Sequence, residues 1–121
     1  MSLEYLTVNE GWRKKNIGLS LGNVLVGLSG LVLKAVDYDA SVAPSRSDVG
    51  VTNMACDIGG EVVVPNIEMH KTKCDLIAIR KSRLVPHPSE PVNELVQRLW
   101  NKRKDYTKYT LNFNNEIKNA A

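Results

Sequence analysis

Residues 17–33 read IGLSLGNVLVGLSGLVL, an uncharged run whose interpretation decides the fold. From Ile17 to Leu21, apolar residues alternate with glycine and serine, which is the period-2 pattern of a half-buried strand. Gly22-Asn23 and Ser29-Gly30 are typical of tight turns, because glycine and asparagine adopt positive φ at little cost. The run therefore predicts three short strands, ending near Tyr38, that form a β-meander.

The same run has a second interpretation, because 17 uncharged residues reach the lower limit for a membrane-spanning helix. Basic residues flank it on both sides: Arg13, Lys14, Lys15 and Lys34. The run contains four glycines together with Asn23 and two serines, a composition that a soluble hairpin explains better than a lipid-exposed helix does. We therefore expect no membrane association.

Further strands are predicted downstream of this run. Residues 39–60 have mainly loop composition, with one more candidate strand at Val49–Cys56. Glu61–His70 and Cys74–Val85 are predicted strands, and Pro65 places the first of them at a bulge or a sheet edge because proline lacks an N–H. Pro86-His87-Pro88 ends the second strand.

A helix from about Ser89 to Tyr106 is the clearest element. Ser89 is a favourable N-cap, and Pro91 falls in the first turn, where its missing N–H costs nothing. Residues at helical spacing form one apolar stripe: Val92, Leu95, Val96, Leu99 and Trp100. Residues 107–114 fit either a strand or a second helix. The pattern as a whole predicts an α+β fold in which an antiparallel meander of about five or six strands precedes one or two C-terminal helices.

Length and composition predict one globular domain over residues 1–121. The hydrophobic share is 43% and the charged share is 24%, which are ordinary values for a folded protein. Two cysteines are too few for a disulfide framework. Glu4 stands where a signal peptide would carry basic residues, so we expect a cytoplasmic or virion protein.

No enzyme signature is present in the sequence. There is no glycine-rich phosphate loop, no nucleophile elbow and no His-Glu-x-x-His motif. The soft ligands are Cys56, His70, Cys74 and His87, and they lack the close-spaced pairs that anchor zinc. We therefore expect no enzymatic activity, no cofactor and no metal site.

Two local features leave catalytic alternatives open. Lys73 beside Cys74 is able to lower the pKa of a thiol, so a small thiol-dependent enzyme with His70 or His87 as its base is one alternative. Asp37 and Asp39 would share one face of a strand, where paired carboxylates bind a hard cation or transfer protons. Such a pair is more often a solvated strand end.

The basic charge is concentrated in residues 71–108. This block carries ten Lys and Arg against four Asp and Glu, whereas residues 1–70 carry five against eight. A one-sided basic surface is typical of proteins that bind polyanions. The candidate nucleic-acid contacts are Lys71, Lys73, Arg80, Lys81, Arg83 and Tyr106, the last as a stacking residue. A second basic group lies at the helix end, at Arg98, Lys102, Arg103, Lys104 and Lys108, and the alternative for both groups is a solvated surface.

The chain resembles the coat proteins of single-stranded RNA phages in size and element order. The resemblance rests on the predicted hairpin at Gly22-Asn23, the strands Glu61–His70 and Cys74–Val85, and the helix opening at Ser89-Glu90-Pro91. It implies an antiparallel sheet that binds RNA and helices that interlock two subunits, with the stripe Val92, Leu95, Val96, Leu99 and Trp100 as the homodimer interface. The stripe could equally be buried within one subunit.

The sequence thus predicts a non-enzymatic, self-assembling structural protein that binds RNA, most sharply a small capsid protein. One alternative is a protein-interaction or accessory module with no nucleic-acid role. The other is the thiol enzyme that uses Cys74.

Overall fold

The computed structural model describes residues 10–12 and 18–104, which form an α+β arrangement of three α-helices and a three-stranded antiparallel sheet. In chain order the elements are α1 (Leu21–Ala35), β1 (Ala40–Arg46), α2 (Val51–Asp57), β2 (Glu61–Met69), β3 (Thr72–Arg80) and α3 (Glu90–Asn101). Short 3-10 turns lie at Glu10–Trp12 and Lys81–Arg83. The predicted meander of five or six strands is therefore wrong, because a helix comes first and the sheet has three strands.

The error lies in the run at 17–33, most of which forms helix α1. Ser20 caps the helix, and its hydroxyl oxygen accepts a hydrogen bond from the Asn23 backbone N–H at 3.2 Å. The glycines are points of close approach in place of turns. A Cβ on Gly27 would lie 2.8 Å from a methyl carbon of Val96, and one on Gly30 would lie 3.2 Å from Leu84. Glycine is required at Gly27 because a neighbouring helix passes directly over the backbone.

Two further predictions between residues 39 and 60 are corrected. Strand β1 occupies part of the segment expected to be a loop, and Val49–Cys56, a candidate strand, mainly forms helix α2. The strand predicted at Glu61–His70 is confirmed as β2. The strand predicted at Cys74–Val85 is confirmed as β3, although it begins at Thr72 and ends at Arg80.

The C-terminal helix is confirmed as α3, with Ser89 at the N-cap position and Pro91 in the first turn. The Ser89 side chain makes no capping hydrogen bond, so it is the backbone that enters the helix at this residue. Residues 107–114, which fitted a strand or a second helix, lie outside the described residues.

The sheet has the strand order β1-β3-β2, and both pairings are antiparallel. Helices α1 and α2 cover one of its faces. The core between these two helices and the sheet consists of Val26, Leu33, Ala43, Ala55, Ile58, Ile77 and Ile79. Helix α3 adds a further layer on the same side, because Val92 and Val96 pack with Val24 of α1 in a second buried cluster.

In the described part of the chain, no helix has both the length and the apolar character needed to cross a membrane. The most apolar of them, α1, has 15 residues.

We expect Gly59→Ala to destabilise the fold far more than Gly50→Ala does. Both glycines have positive φ, 98° and 75°, which costs an alanine about 1 kcal/mol. A Cβ at Gly50 would meet no atom within 4 Å, whereas one at Gly59 would collide with the carbonyl oxygen of Arg83. Urea unfolding should therefore show a loss of about 3 kcal/mol or more for Gly59→Ala. Equal losses for the two variants would contradict this packing.

Candidate functional site

The face of the sheet opposite the helices is the main candidate site, and we call it the open face. Residues paired across an antiparallel ladder point to the same side, so the pairings of β3 define this face. Ile77 and Ile79 point to the helices, which leaves Leu76 and its neighbours at even positions on the other side. The apolar members of the open face are Val42 and Pro44 of β1, Val64, Ile67 and Met69 of β2, and Cys74, Leu76 and Ala78 of β3.

The open face exposes large apolar side chains. Val42, Val64 and Met69 are 40%, 42% and 38% exposed, and neither buried cluster of the described residues includes them. Cys74 and Ala78 are buried because they are small and lie on the central strand between larger neighbours. Contiguous apolar surfaces of this kind mark interaction sites more often than isolated exposed residues do.

Prolines block the two edges of the sheet. Pro44 lies in β1 and Pro65 in β2, and these are the two outer strands. A proline in an edge strand has no N–H to offer to an additional strand, so it opposes extension of the sheet. Strand β2 is also irregular on both sides of Val64, and Asn66 has a φ of 54°. Docking on the open face is therefore favoured over strand addition at an edge.

Ion pairs of both signs border the open face. At the end of β3, Arg80 Nε lies 2.7 Å from one oxygen of Glu61, and an Arg83 nitrogen lies 3.3 Å from the other. The hydrogen bond from Arg80 lowers the pKa of Glu61 below its ordinary value, and the charges of both arginines act in the same direction. An apolar centre with a polar rim is the usual anatomy of a protein interface.

A second ion pair lies at the opposite end of the sheet. Arg46 holds Asp48 with two hydrogen bonds, of 2.7 and 3.0 Å. The first effect of this contact is a hydrogen bond that lowers the pKa of the Asp48 carboxyl. The two ends of the face therefore both carry arginines that are already paired with acids.

The basic residues predicted to bind nucleic acid do not form one patch. Arg80 and Arg83 share Glu61, and the Lys81 ammonium donates to the backbone oxygen of Val36. Lys71 and Lys73 lie at the β2–β3 turn, and seven residues of strand separate Lys73 from Arg80, which is about 23 Å. Tyr106 lies outside the described residues.

The helix stripe predicted to form a dimer interface is largely used within the chain. Val92 and Val96 are each 3% exposed and pack against Val24 of α1. Leu95 and Leu99 are partly buried around the same cluster. Trp100 is half-buried, and the guanidinium carbon of Arg103 lies 4.4 Å from the centre of its ring. This arrangement matches the alternative of burial within one subunit, while the oligomeric state itself stays a prediction.

The cysteine and histidine residues do not assemble a catalytic or metal site among residues 10–12 and 18–104. No group of three His, Cys, Asp or Glu residues there is arranged to hold a metal ion. Cys74 is 6% exposed, and its thiol donates a hydrogen bond to the Thr72 carbonyl oxygen. The His87 ring is buried, its Nδ1 accepts the Ser89 N–H at 2.9 Å, and its Nε2 lies 3.7 Å from an Asp57 carboxylate oxygen. This histidine holds the segment that enters α3.

Comparison with known proteins finds no matching family, no similar curated protein and no similar solved structure. The resemblance to phage coat proteins therefore stays a prediction. One of its supports has been lost, since Gly22-Asn23 lies inside α1 and forms no hairpin.

We expect Glu61→Gln to lower the stability at neutral pH and to lose this effect in acid. The folded-state pKa of Glu61 is lowered, so its contribution is present above the ordinary carboxyl pKa and disappears as the pH falls through the lowered value. Urea midpoints at low salt, compared between pH 7 and strongly acidic conditions, measure the difference. Glu68→Gln, at the other end of β2, is the matched control. A pH-independent difference, or an equal effect of both variants, would contradict the role assigned to the Arg80–Glu61 pair.

Proposed function

We propose that this protein is a non-enzymatic assembly protein that self-associates through its open face, with a second copy of the chain as the partner. The observation that supports this most directly is the exposure of Val42, Val64 and Met69 on one continuous sheet face. An apolar centre of this kind favours a protein surface over a phosphate backbone, which requires cations. The cytoplasmic or virion setting expected from the sequence is compatible with such a role.

The size of the face supports a reversible association. Three strands about 4.8 Å apart and nine residues long span about 14 by 30 Å, or roughly 400 Å² per copy. Two copies packed face to face would bury roughly 800 Å², below the approximately 1,200 Å² of a stable interface. The association should therefore be weak and concentration-dependent, which suits an assembly subunit better than an obligate dimer.

The chemistry of the face suits a second copy. Two flat sheets with apolar side chains pack well at about 10 Å separation, as they do in β-sandwiches. Each rim carries arginine already paired with an acid, at Arg80–Glu61 and at Arg46–Asp48, so two identical rims can meet without strong repulsion. The prolines at 44 and 65 direct the contact to the face, since neither edge accepts another strand easily.

The catalytic alternative has less support. A thiol nucleophile must reach its substrate, and Cys74 is 6% exposed. The protein-interaction alternative and the self-assembling alternative share the same surface and differ only in the partner.

We expect Val64→Asp to abolish self-association and Val62→Asp to leave it intact. The two valines lie on the same strand and are 42% and 41% exposed. Val64 pairs with Leu76 on the open face, whereas Val62 pairs with Ile77 on the helix side. Sedimentation velocity over a wide concentration range should show the monomer alone for Val64→Asp, because a buried carboxylate strongly opposes the contact.

Far-UV circular dichroism would establish that both variants are folded. Met69→Lys offers a second disruption on the open face in case Val64→Asp does not fold, since Met69 pairs with Thr72 near the strand end. A wild-type chain that remains monomeric at the highest concentration would overturn the proposal. So would equal loss of association in the Val62 and Val64 variants.

A further inference from the structure

The structure points to a second binding site, distinct from the open face, at the C-terminal end of α3, and we infer that its ligand is single-stranded nucleic acid. Residues 95–104 contain four cations and no acid: Arg98, Lys102, Arg103 and Lys104. The sequence had favoured the strand cations as the nucleic-acid contacts. The structure favours the helix end, for reasons of charge, of stacking and of position.

The charge at the helix end is uncompensated among the described residues. Arg98, Lys102 and Lys104 are all exposed, and none of them forms an ion pair within that part of the chain. The cations at the ends of the sheet differ, because Arg80 and Arg83 already share Glu61. A phosphate group that contacts Lys102 or Lys104 therefore displaces only solvent and counterions, which is the main source of affinity for nucleic acids.

The hairpin cations provide a weaker alternative. Lys73 lies directly across the ladder from Glu68, and opposite charges at such positions attract each other. Lys71 then contributes the only remaining positive charge at that turn besides His70, which is neutral unless protonated. One net charge compares poorly with four at the helix end.

An aromatic side chain completes the site. The Arg103 guanidinium lies over the Trp100 ring at 4.4 Å, and one of its nitrogens donates to the Trp100 carbonyl oxygen at 3.0 Å. These two contacts fix a planar cation on a planar ring. Unpaired bases stack on arginine and tryptophan planes, whereas a paired duplex hides its base faces. The stack is the reason for assigning a single strand as the ligand.

The helix dipole opposes anion binding at this end but is too small to prevent it. The C-terminal end of a helix carries about half a negative charge. Four positive side chains outweigh that charge, and Lys102 already lies beyond the last residue of α3, at its C-cap.

The site lies away from the open face, so the two proposals are independent. Helix α3 packs on α1, and α1 lies on the covered side of the sheet. A nucleic acid bound at Lys102 and Lys104 would leave the open face available. An assembled protein could therefore present several such sites to one strand.

The test measures binding of a fluorescein-labelled oligouridine by anisotropy across a salt series. We expect the double variant K102E/K104E to bind at least about tenfold more weakly than the wild type at low salt, and the salt slope to fall by about two because two phosphate contacts are lost. The matched control K71E/K73E, with the same change in net charge, should lose less than about threefold through the general field alone. Trp100 fluorescence should be quenched by the oligonucleotide in the wild type.

Several outcomes would overturn the inference. They are equal losses in both double variants, no binding of the oligonucleotide at low salt, or binding to phosphatidylserine vesicles without binding to the oligonucleotide. The Val64→Asp variant separates this site from the proposed function, since we expect it to bind the oligonucleotide as a monomer with similar affinity. Circular dichroism would confirm that the charge-reversed variants are folded, and both pairs of substituted lysines are exposed.

Discussion

The close contact between α1 and α3 at Gly27 is the constraint on which the rest of the structure depends. Val96 lies over the backbone of Gly27, where there is no room for a side chain. This approach allows Val24 to be buried with Val92 and Val96, while the opposite side of α1 packs Val26 and Leu33 on the sheet. A single helix thereby connects two buried clusters. All three helices consequently lie on one side of the sheet, and the open face is left without a layer of its own in the described residues.

The one-sided arrangement exchanges the roles that the sequence suggested for the sheet and the last helix. The sheet was expected to bind RNA, but its arginines are committed to Glu61 and its exposed face is apolar. The helix stripe was expected to join two subunits, but Val92 and Val96 are buried within one chain. Assembly therefore falls to the sheet and nucleic-acid contact to the end of α3. Both remain proposals, each with a surface that can be altered separately.

The sequence predicted those elements in which spacing has one meaning. The stripe through Val92 and Val96 located α3, and the valine-rich run located β2. Helix α1 was missed because a glycine that permits close packing looks the same in sequence as a glycine that permits a turn. Strand β1 was missed because Pro44 and its serines resemble a loop. One of these serines, Ser45, is buried and hydrogen-bonded to the Thr52 hydroxyl at 2.7 Å. Alternation shows which residues share a face, but not which face the helices cover, so the open face required the structure.

A double-mutant cycle on Gly27 and Val96 tests the central contact most directly. Gly27→Ala should destabilise the chain by about 1–3 kcal/mol in spite of alanine's better helix propensity, because the new methyl group overlaps Val96. Val96→Ala removes the overlapping methyl groups, so the combined variant should be more stable than the sum of the single losses by about 1 kcal/mol or more. Additive losses, or a Gly27→Ala variant more stable than the wild type, would contradict the packing of α1 against α3.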